Sequence, residues 1–233
     1  MTALLLPGSP EYPELAYPGR KPTIPVRIDM EHRFAPDELC VLLRSDVVDL
    51  VSNTVLPLTG EANYGIYKGM ETRKFSGLVQ SYYTLPKTIQ HAAGSSWTLH
   101  FHANAYSAND SVLLGVNGTT TDYVWLRTTG YFVVNVNGQQ ANVASSNHDI
   151  LTWFSVVFST DSYKLYKNGV YVGVYSAAIP VEELKIAVLG ASYSSSSYGY
   201  DGHMSDVFIH SWGFSDQDVS DFMNSPYEFL IPA

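Results

Sequence analysis

Two runs with the composition of β-strands, joined by Asn168 and Gly169, make up the segment 163–175, YKLYKNGVYVGVY. An Asn-Gly pair supplies the two residues of positive φ that a type I′ turn requires, and this turn joins adjacent antiparallel strands. Asn-Gly pairs also occur at 117–118 and 137–138. This recurrent hairpin signal predicts a fold made chiefly of antiparallel strands.

The segment 95–105, SSWTLHFHANA, alternates strictly: Trp97 and Phe101 share one face of the predicted strand, and His100 and His102 share the other. A period of two is typical of a strand with one face in a core. The runs TDYVWLRT, GYFVVNVNG, LTWFSVVFS and LKIAVLG have the same character. Many short strands separated by polar turns predict an all-β domain, a two-sheet antiparallel jelly-roll β-sandwich.

One short C-terminal helix is predicted over 215–224, SDQDVSDFMN. Ser215 is a typical N-cap, and Asp218 three residues later completes a capping box. Phe214 and Val219 have the spacing of a hydrophobic staple. The acidic residues of this stretch therefore have a structural role at the helix N-terminus, where their negative charges interact favourably with the positive end of the helix dipole.

The region before residue 70 is less regular. The segment 37–52, DELCVLLRSDVVDLVS, fits either a short helix or two strands, and 52–65, SNTVLPLTGEANYG, is predicted to form turns. Cys40 lies among aliphatic residues, which indicates a core position for the only thiol of the chain.

Residues 1–28 contain half of the 12 prolines, which predicts an extended arm outside the sheets. The arm either lies on the surface as a disordered tail or packs on a neighbouring subunit. Its apolar residues for such a contact are Leu4, Leu5, Leu6, Tyr12, Leu15 and Tyr17. The predicted division of the chain is therefore an arm at 1–28, a sandwich at 29–226 and a tail at 227–233.

The net charge of −9 argues against a nucleic acid as partner. The first residues, MTALLLPGSP, lack the basic start of a signal peptide, and no apolar run is long enough to span a membrane. We therefore expect neither secretion through a signal peptide nor membrane insertion.

Four segments in order resemble the laminin G-like members of the concanavalin A-like lectin/glucanase superfamily. These are KFSGLVQSYYTLP, SSWTLHFHANA, WFSVVFSTDSYKLYKNGVYVG and the closing YDGHMSDVFIHSWGFSDQDVSDFMNSP, over roughly Phe75 to Pro226. In the closing segment Asp206 stands before the Val-x-Ile of a strand, as in these domains. The resemblance implies the sandwich fold, and it leaves the function open because the fold hosts lectins, enzymes and virion proteins.

The ending NSPYEFLIPA is similar to the tails of laminin G-like domains in phage structural proteins, with Tyr227 and Phe229 in the aromatic positions. This resemblance implies a virion protein made in the host cytoplasm, a capsid decoration or tail-associated protein. Its partners would be other virion proteins and copies of itself. The alternative is a carbohydrate-binding, lectin-like module with no link to a virion.

Catalysis is not expected. Glycoside hydrolysis needs two carboxylates at a fixed separation, and the Glu-x-Asp-x-x-Glu and Glu-x-Asp-x-Glu motifs of the related glucanases are missing. We predict no catalytic residue, no metal site and no cofactor. Calcium stays open as an alternative, with candidate oxygen ligands on Asn109, Asp110, Asp122 and Asp201.

A ligand surface is predicted in the loop ASYSSSSYGYDG, residues 191–202, because Tyr, Ser and Gly dominate adaptable binding loops. The candidate glycan- or partner-binding residues are Tyr193, Tyr198, Tyr200 and Asp201, together with Tyr106 of a neighbouring loop. The other interpretation is an exposed loop with no ligand.

Overall fold

The computed structural model describes residues 21–76, 81–106, 111–116, 121–127, 130–145, 150–176, 180–190 and 199–233. These ranges contain nineteen β-strands, a short 3₁₀ turn at Val181–Glu183 and the helix α1 at Asp216–Asn224. The strands in chain order are β1 Val26–Ile28, β2 Leu39–Leu43, β3 Val47–Asp49, β4 Thr54–Val55, β5 Leu58–Thr59, β6 Ala62–Tyr67, β7 Met70–Ser76, β8 Tyr82–Ile89, β9 Trp97–Ala103, β10 Ser111–Gly115, β11 Tyr123–Arg127, β12 Tyr131–Val136, β13 Gln139–Ala144, β14 Thr152–Ser159, β15 Ser162–Lys167, β16 Val170–Ser176, β17 Ile186–Leu189, β18 Asp201–His210 and β19 Leu230–Pro232.

Two antiparallel sheets face each other. The small sheet has the order β13-β12-β11-β10-β17-β8-β5, and the large sheet the order β16-β15-β14-β9-β18-β2-β3-β4. The hairpin β6–β7 extends the large sheet, since β7 pairs with the first residues of β18. Trp97 and Phe101 of β9 and Phe132 of β12 are fully buried in the main core between the sheets. The predicted all-β sandwich of jelly-roll type with a C-terminal helix is confirmed.

The hairpin turns have the geometry that their residues predict. Asn137 and Gly138 have φ of 51° and 81°, and Asn168 and Gly169 have φ of 49° and 78°. These are the paired left-handed conformations of a type I′ turn, which Asn and Gly adopt at low steric cost. The third Asn-Gly pair, at 117–118, lies outside the described residues.

The helix α1 begins as predicted. The Oγ of Ser215 accepts a hydrogen bond from the backbone N of Asp218 at 3.1 Å, and the Asp218 carboxylate accepts one from the backbone N of Ser215 at 3.0 Å. Phe214 and Val219 are both buried on the same cluster. The capping box therefore satisfies two backbone donors that the first helical turn leaves without partners.

Replacing Ser215 by Ala is expected to lower the free energy of unfolding by about 1 kcal/mol, because the cap bond to the Asp218 amide is lost. Urea denaturation measures this effect. Ser220→Ala, the same change inside α1, is the control and should leave stability equal or slightly higher, since Ala is the better helix former. Equal losses in both variants would show that the cap is dispensable.

A second core covers the outer face of the large sheet. Phe208 of β18 packs there against Phe222 of α1 and Phe229 of the C-terminal segment, and Cys40 is fully buried in the same cluster, as predicted. The apolar stripe of α1 seals this face from water. The central strands β9, β18 and β2 of the large sheet are therefore buried on both sides over most of their length.

The predicted boundaries at 28 and 226 separate residues that the structure joins. Val26–Ile28, assigned to the arm, pair as β1 with Leu230–Pro232, assigned to the tail. Both strands contribute buried side chains to the second core, so burial of apolar surface draws them onto the sandwich. The rest of the arm, residues 1–20 with its predicted contact residues, lies outside the described ranges.

The region before residue 70 forms more strands than predicted. The segment 37–52 contains β2 and β3, which agrees with one of its two interpretations. The prediction of turns over 52–65 was wrong in part, since β4, β5 and the start of β6 lie there. Strands of two residues leave no detectable period and exist through pairing with distant partners, as Leu58 does with Tyr83. No helix within the described ranges has the length and apolar character needed to cross a membrane.

Candidate functional site

One end of the large sheet presents polar and aromatic side chains on its outer face, where the hairpin β6–β7 meets the start of β18. Ala62 and Phe75 of this hairpin point into the main core. Because side chains alternate along a strand, Tyr67 of β6 and Lys74 of β7 lie on the opposite face. His203 is paired with Lys74 and shares that face.

Three rings form the centre of this surface. Tyr67 stacks on His203, with ring centroids 4.4 Å apart and an interplanar angle of 18°. Tyr106 lies edge-on to both rings, with its centroid 5.6 Å from that of His203 and 6.1 Å from that of Tyr67. Tyr106 is 41% exposed and offers the largest open ring surface of this Tyr67–Tyr106–His203 cluster. Such surfaces suit the apolar faces of sugar rings as well as other aromatic groups.

Backbone and side-chain hydrogen bonds hold Tyr106 and His203 in place, and Tyr67 stacks on His203. The N of Tyr106 donates to the carbonyl of Asp201 at 2.9 Å, and the N of His203 donates to Oδ1 of Asn104 at 2.8 Å. The hydroxyl of Thr72 lies 2.9 Å from Nδ1 of His203. The end of β9, the start of β18 and β7 are thereby locked together, so the cluster is a rigid feature of the sandwich.

His203 and Tyr106 of this cluster are uncharged at neutral pH. Burial lowers the pKa of His203, the nearby Lys74 ammonium lowers it further, and Asp201 opposes both. Burial, and then a hydrogen bond with Tyr67, raises the pKa of Tyr106 to about 12. The imidazole therefore stays neutral and the Tyr106 phenol stays protonated, so both offer neutral hydrogen-bonding groups.

Two lysines border the cluster. The ammonium of Lys68 lies over the Tyr67 ring, 5.5 Å from its centroid. Lys68 and Lys74 are both exposed, and neither forms an ion pair within the described ranges. The surface therefore combines neutral aromatic groups with free positive charge.

The structure brings together two of the predicted ligand residues, Tyr106 and Asp201, through the backbone hydrogen bond between them. Tyr193 and Tyr198, the other tyrosines of the predicted loop, lie outside the described residues.

Tyr200 corrects the prediction of a ligand contact. Its side chain is 1% exposed, and its hydroxyl donates towards the carbonyls of Asn104, at 2.6 Å, and His203, at 2.7 Å. The ring packs on Phe75 in the main core. Gly202 beside it leaves room for the Asn104 backbone, which a Cβ would strike. Tyr200 thus anchors the start of β18 and is not available to a ligand.

The sequence argument missed Tyr67, Lys68 and His203. The run NYGIYKGMETRKF had a usable signal, because Lys68 and Gly69 separate two segments with strand character. Because the turn has Lys68 in place of Asn, this hairpin was not predicted. His203 was assigned to a strand face, and its proximity to Tyr67 depends on the pairing of β18 with β7.

A separate polar cluster lies beneath the second core, around Asp206. The carboxylate is 3.2 Å from the Lys21 ammonium and accepts hydrogen bonds from Ser205 Oγ at 2.5 Å and Tyr227 OH at 2.9 Å. Burial alone would raise the pKa of Asp206, but the Lys21 ammonium, His102 and the Ser205 hydroxyl together bring it below its usual value. Since Lys21 and Asp206 are almost completely buried, this ion pair has a structural role.

Within the described ranges, no three His, Cys, Asp or Glu side chains converge as metal ligands. His100 and His102 share a face as their spacing predicts, yet His100 bonds to Ser155 Oγ at 2.8 Å and His102 stacks on Trp153. Of the candidate calcium ligands, Asn109 and Asp110 lie outside the described residues.

No protein-family model matches the chain, and no curated protein sequence matches it. Solved structures do resemble it. The binding domain of botulinum neurotoxin DC, solved in complex with rat synaptotagmin II, superposes with a TM-score of 0.61 at 12% identity, covering 80% of this chain and 51% of that one. Botulinum neurotoxin type C, whose cell entry is dependent upon interaction with two ganglioside molecules, gives a TM-score of 0.57 at 13% identity, covering 82% and 51%.

Domain 4 of AbnA, a GH43 extracellular arabinanase from Geobacillus stearothermophilus solved in complex with arabinotriose, gives a TM-score of 0.59 at 14% identity. The match covers 80% of this chain and 100% of the arabinanase domain. In contrast, this chain spans about half of each neurotoxin chain. At these identities the likeness concerns the fold, which here is the β-sandwich that these binding domains share.

Proposed function

We propose that this protein is a non-enzymatic glycan-binding module that holds its ligand at the Tyr67–Tyr106–His203 cluster. The observation that carries the proposal is the partly exposed Tyr106 ring, fixed on a rigid sheet end beside the hydrogen-bonding groups of Tyr67 and His203. Sugar recognition needs this combination of an aromatic platform and hydrogen-bonding groups placed around it.

The comparisons support this proposal at the level of fold. An arabinanase domain of the same architecture was solved with arabinotriose, and a neurotoxin of the same architecture interacts with gangliosides. Among the described residues, Asp201 is the one acidic residue whose charge shifts the pKa of His203 or Tyr106. Hydrolysis of a glycoside uses two carboxylates, so the site favours binding over catalysis.

Tyr106→Ala is expected to lower the affinity for a bound glycan by about tenfold or more, because aromatic side chains at binding centres contribute about 2 kcal/mol or more. A glycan array identifies the ligand, and isothermal titration measures the affinity. Tyr131→Ala is the matched control, since Tyr131 is 43% exposed on the small sheet. Equal affinity of the two variants, or no bound glycan on the array, would refute the proposed function.

A virion location is the finer proposal, and the similarity of the ending NSPYEFLIPA to the tails of phage structural proteins supports it. The buried ion pair with Asp206 holds Lys21 on the sandwich. We propose that this arm, with Leu4, Leu5, Leu6, Tyr12 and Tyr17, contacts a neighbouring copy or another phage structural protein. Deletion of residues 1–20, with Lys21 kept, should then abolish incorporation into particles; normal incorporation would refute this role.

A further inference from the structure

The lysines of this chain differ in how their charges are used. Lys21, Lys87 and Lys164 each form an ion pair with a carboxylate, at 3.2, 2.6 and 2.6 Å. In the described part of the chain, no carboxylate pairs with Lys68, Lys74 or Lys185, and the first two of these lie at the aromatic cluster, although the protein carries a net charge of −9. Two free ammonium groups therefore lie together at the aromatic cluster of an acidic protein.

The position of Lys68 is unusual for its residue type. Lys68 and Gly69 have φ of 50° and 81°, which makes them the turn of the hairpin β6–β7. At the same position of the two other described turns with this geometry, the chain has Asn137 and Asn168. Asn adopts this left-handed conformation more readily than other non-glycine residues, so Lys68 costs turn stability that Asn would retain. A side-chain role for the ammonium would offset that cost.

The position of Lys74 points to the same area. Lys74 is paired with His203 across the β7–β18 ladder, and both side chains lie on the outer face. The ammonium of Lys68 lies over the Tyr67 ring, and the Tyr67 ring stacks on His203. The two positive charges thus lie beside the rings, and Asp201 is the one acidic residue among the described residues whose charge acts on His203 or Tyr106.

Gly65 leaves space on this face. It lies opposite Thr72 in the hairpin, between Tyr67 and the Asn63–Lys74 pair, and a Cβ built on it would have no neighbour within 4 Å. At this point of the hairpin, beside Tyr67, the described residues leave the face open.

We propose that the ligand is an acidic glycan, one that carries a carboxylate or a sulfate, and that Lys68 and Lys74 bind this group. The inference rests on the proposed glycan binding at the same cluster. An ammonium group hydrogen-bonds carboxylate and sulfate oxygens as a point charge. Local positive charge also counteracts the repulsion that the acidic remainder of the protein exerts on such a ligand.

The test uses an array of matched pairs whose members differ in one kind of acidic group: lactose and sialyllactose, methyl-esterified and free oligogalacturonate, and unsulfated and sulfated chondroitin oligosaccharides. We expect the full-length protein to prefer the acidic member of at least one pair. The pairs also distinguish a carboxylate from a sulfate as the recognised group. Added salt should weaken binding of the preferred acidic member, since screening acts on its charge.

The decisive variant is Lys68→Asn with Lys74→Gln. It should lower the affinity for the preferred acidic glycan by about tenfold and reduce the ratio of acidic to neutral binding. Lys68→Asn suits the left-handed turn, so loss of binding through unfolding is not expected; thermal denaturation of the variant checks this. Lys87→Gln removes one positive charge from an ion pair elsewhere, and it should keep the preference.

The outcomes separate the two proposals. Equal binding of both members of every pair overturns the proposal of an acidic ligand, and so does an acidic preference that survives in the double variant. In either case, binding that depends on Tyr106 still supports the glycan-binding module. No binding to any member of the array overturns the glycan module itself.

Discussion

Replacing Asp206 by Ala is expected to lower the free energy of unfolding by about 3–5 kcal/mol, because a buried ammonium is left without its counter-charge. The side chain of Lys21 is 4% exposed, and its ammonium otherwise contacts backbone carbonyls, of which Ser205 O at 2.9 Å and Glu71 O at 3.1 Å are nearest. These carbonyls do not neutralise the charge. The variant also leaves the buried hydroxyl of Tyr227 without its acceptor.

Urea denaturation followed by tryptophan fluorescence measures this loss. Glu38→Ala is the matched control, since Glu38 pairs at 2.6 Å with the ammonium of Lys87, a side chain that is 60% exposed. An exposed pair contributes at most about 1 kcal/mol, so the control should lose little stability. Similar losses in the two variants would contradict a sealed ion pair around Asp206.

The double variant Lys21→Met with Asp206→Leu is expected to recover most of the stability lost in Asp206→Ala. Both charges then leave the interior, and apolar side chains of similar size fill the space. Comparison of the double variant with each single variant gives the coupling energy between the two positions. A double variant as unstable as Asp206→Ala would show that packing, and not the uncompensated charge, sets the loss.

Acidification is expected to destabilise the fold through His100 and His210, which are buried beneath α1. Burial lowers the pKa of His210 from 6.5 to about 3, with Asp37 opposing weakly. Burial, and then the neighbouring His210, lowers the pKa of His100 well below 6.5. Both rings pack on Phe214 and Phe222, and neither ring nitrogen of His210 has a hydrogen-bond partner among the described residues.

The sign follows from proton binding. Below pH 6.5 the unfolded chain binds protons on these histidines. The folded protein keeps His210 neutral until the pH approaches about 3, and it keeps His100 neutral to a pH well below 6.5. In this window each histidine lowers the free energy of unfolding by about 1.4 kcal/mol per pH unit of acidification. Asp206 acts in a lower range, because its folded pKa lies below 3.8 and its contribution is lost only as the pH falls further.

Urea denaturation at a series of pH values measures the slope. In His210→Phe one titrating group is gone, and a phenyl ring fits among the surrounding aromatic side chains, so about half of the slope that these two histidines produce should disappear. A slope in the variant equal to that of the unmodified protein would show that His210 is protonated in the folded state as readily as in the unfolded chain.

Local features of this protein were accessible to sequence reasoning because their causes are local. Asn137–Gly138 and Asn168–Gly169 form type I′ turns since these residue types tolerate positive φ. Ser215 and Asp218 cap α1 because the groups involved are three residues apart. The strict alternation of β9 likewise reflects a strand with an apolar and a polar side, although that polar side proved to be buried as well.

The candidate site was predictable only in part. Tyr106 and Asp201 were identified from loop composition, but the same argument also selected Tyr200, whose ring is buried in the main core. Composition describes what a loop can do and carries no information on which of its side chains point inward. Tyr67 and His203 stack because β7 pairs with β18, a contact between segments far apart in the chain.

The pattern of turns, the period of the strands and the capped helix follow from the order of the residues, since steric and hydrogen-bonding preferences act over a few positions. Three other features follow from the folded arrangement. They are the burial of His100 and His210, the Lys21–Asp206 ion pair and the Tyr67–Tyr106–His203 cluster. Each depends on which surfaces meet when the sheets close and the C-terminal segment packs on them. Those contacts are long-range, and the closure of the whole sandwich determines them.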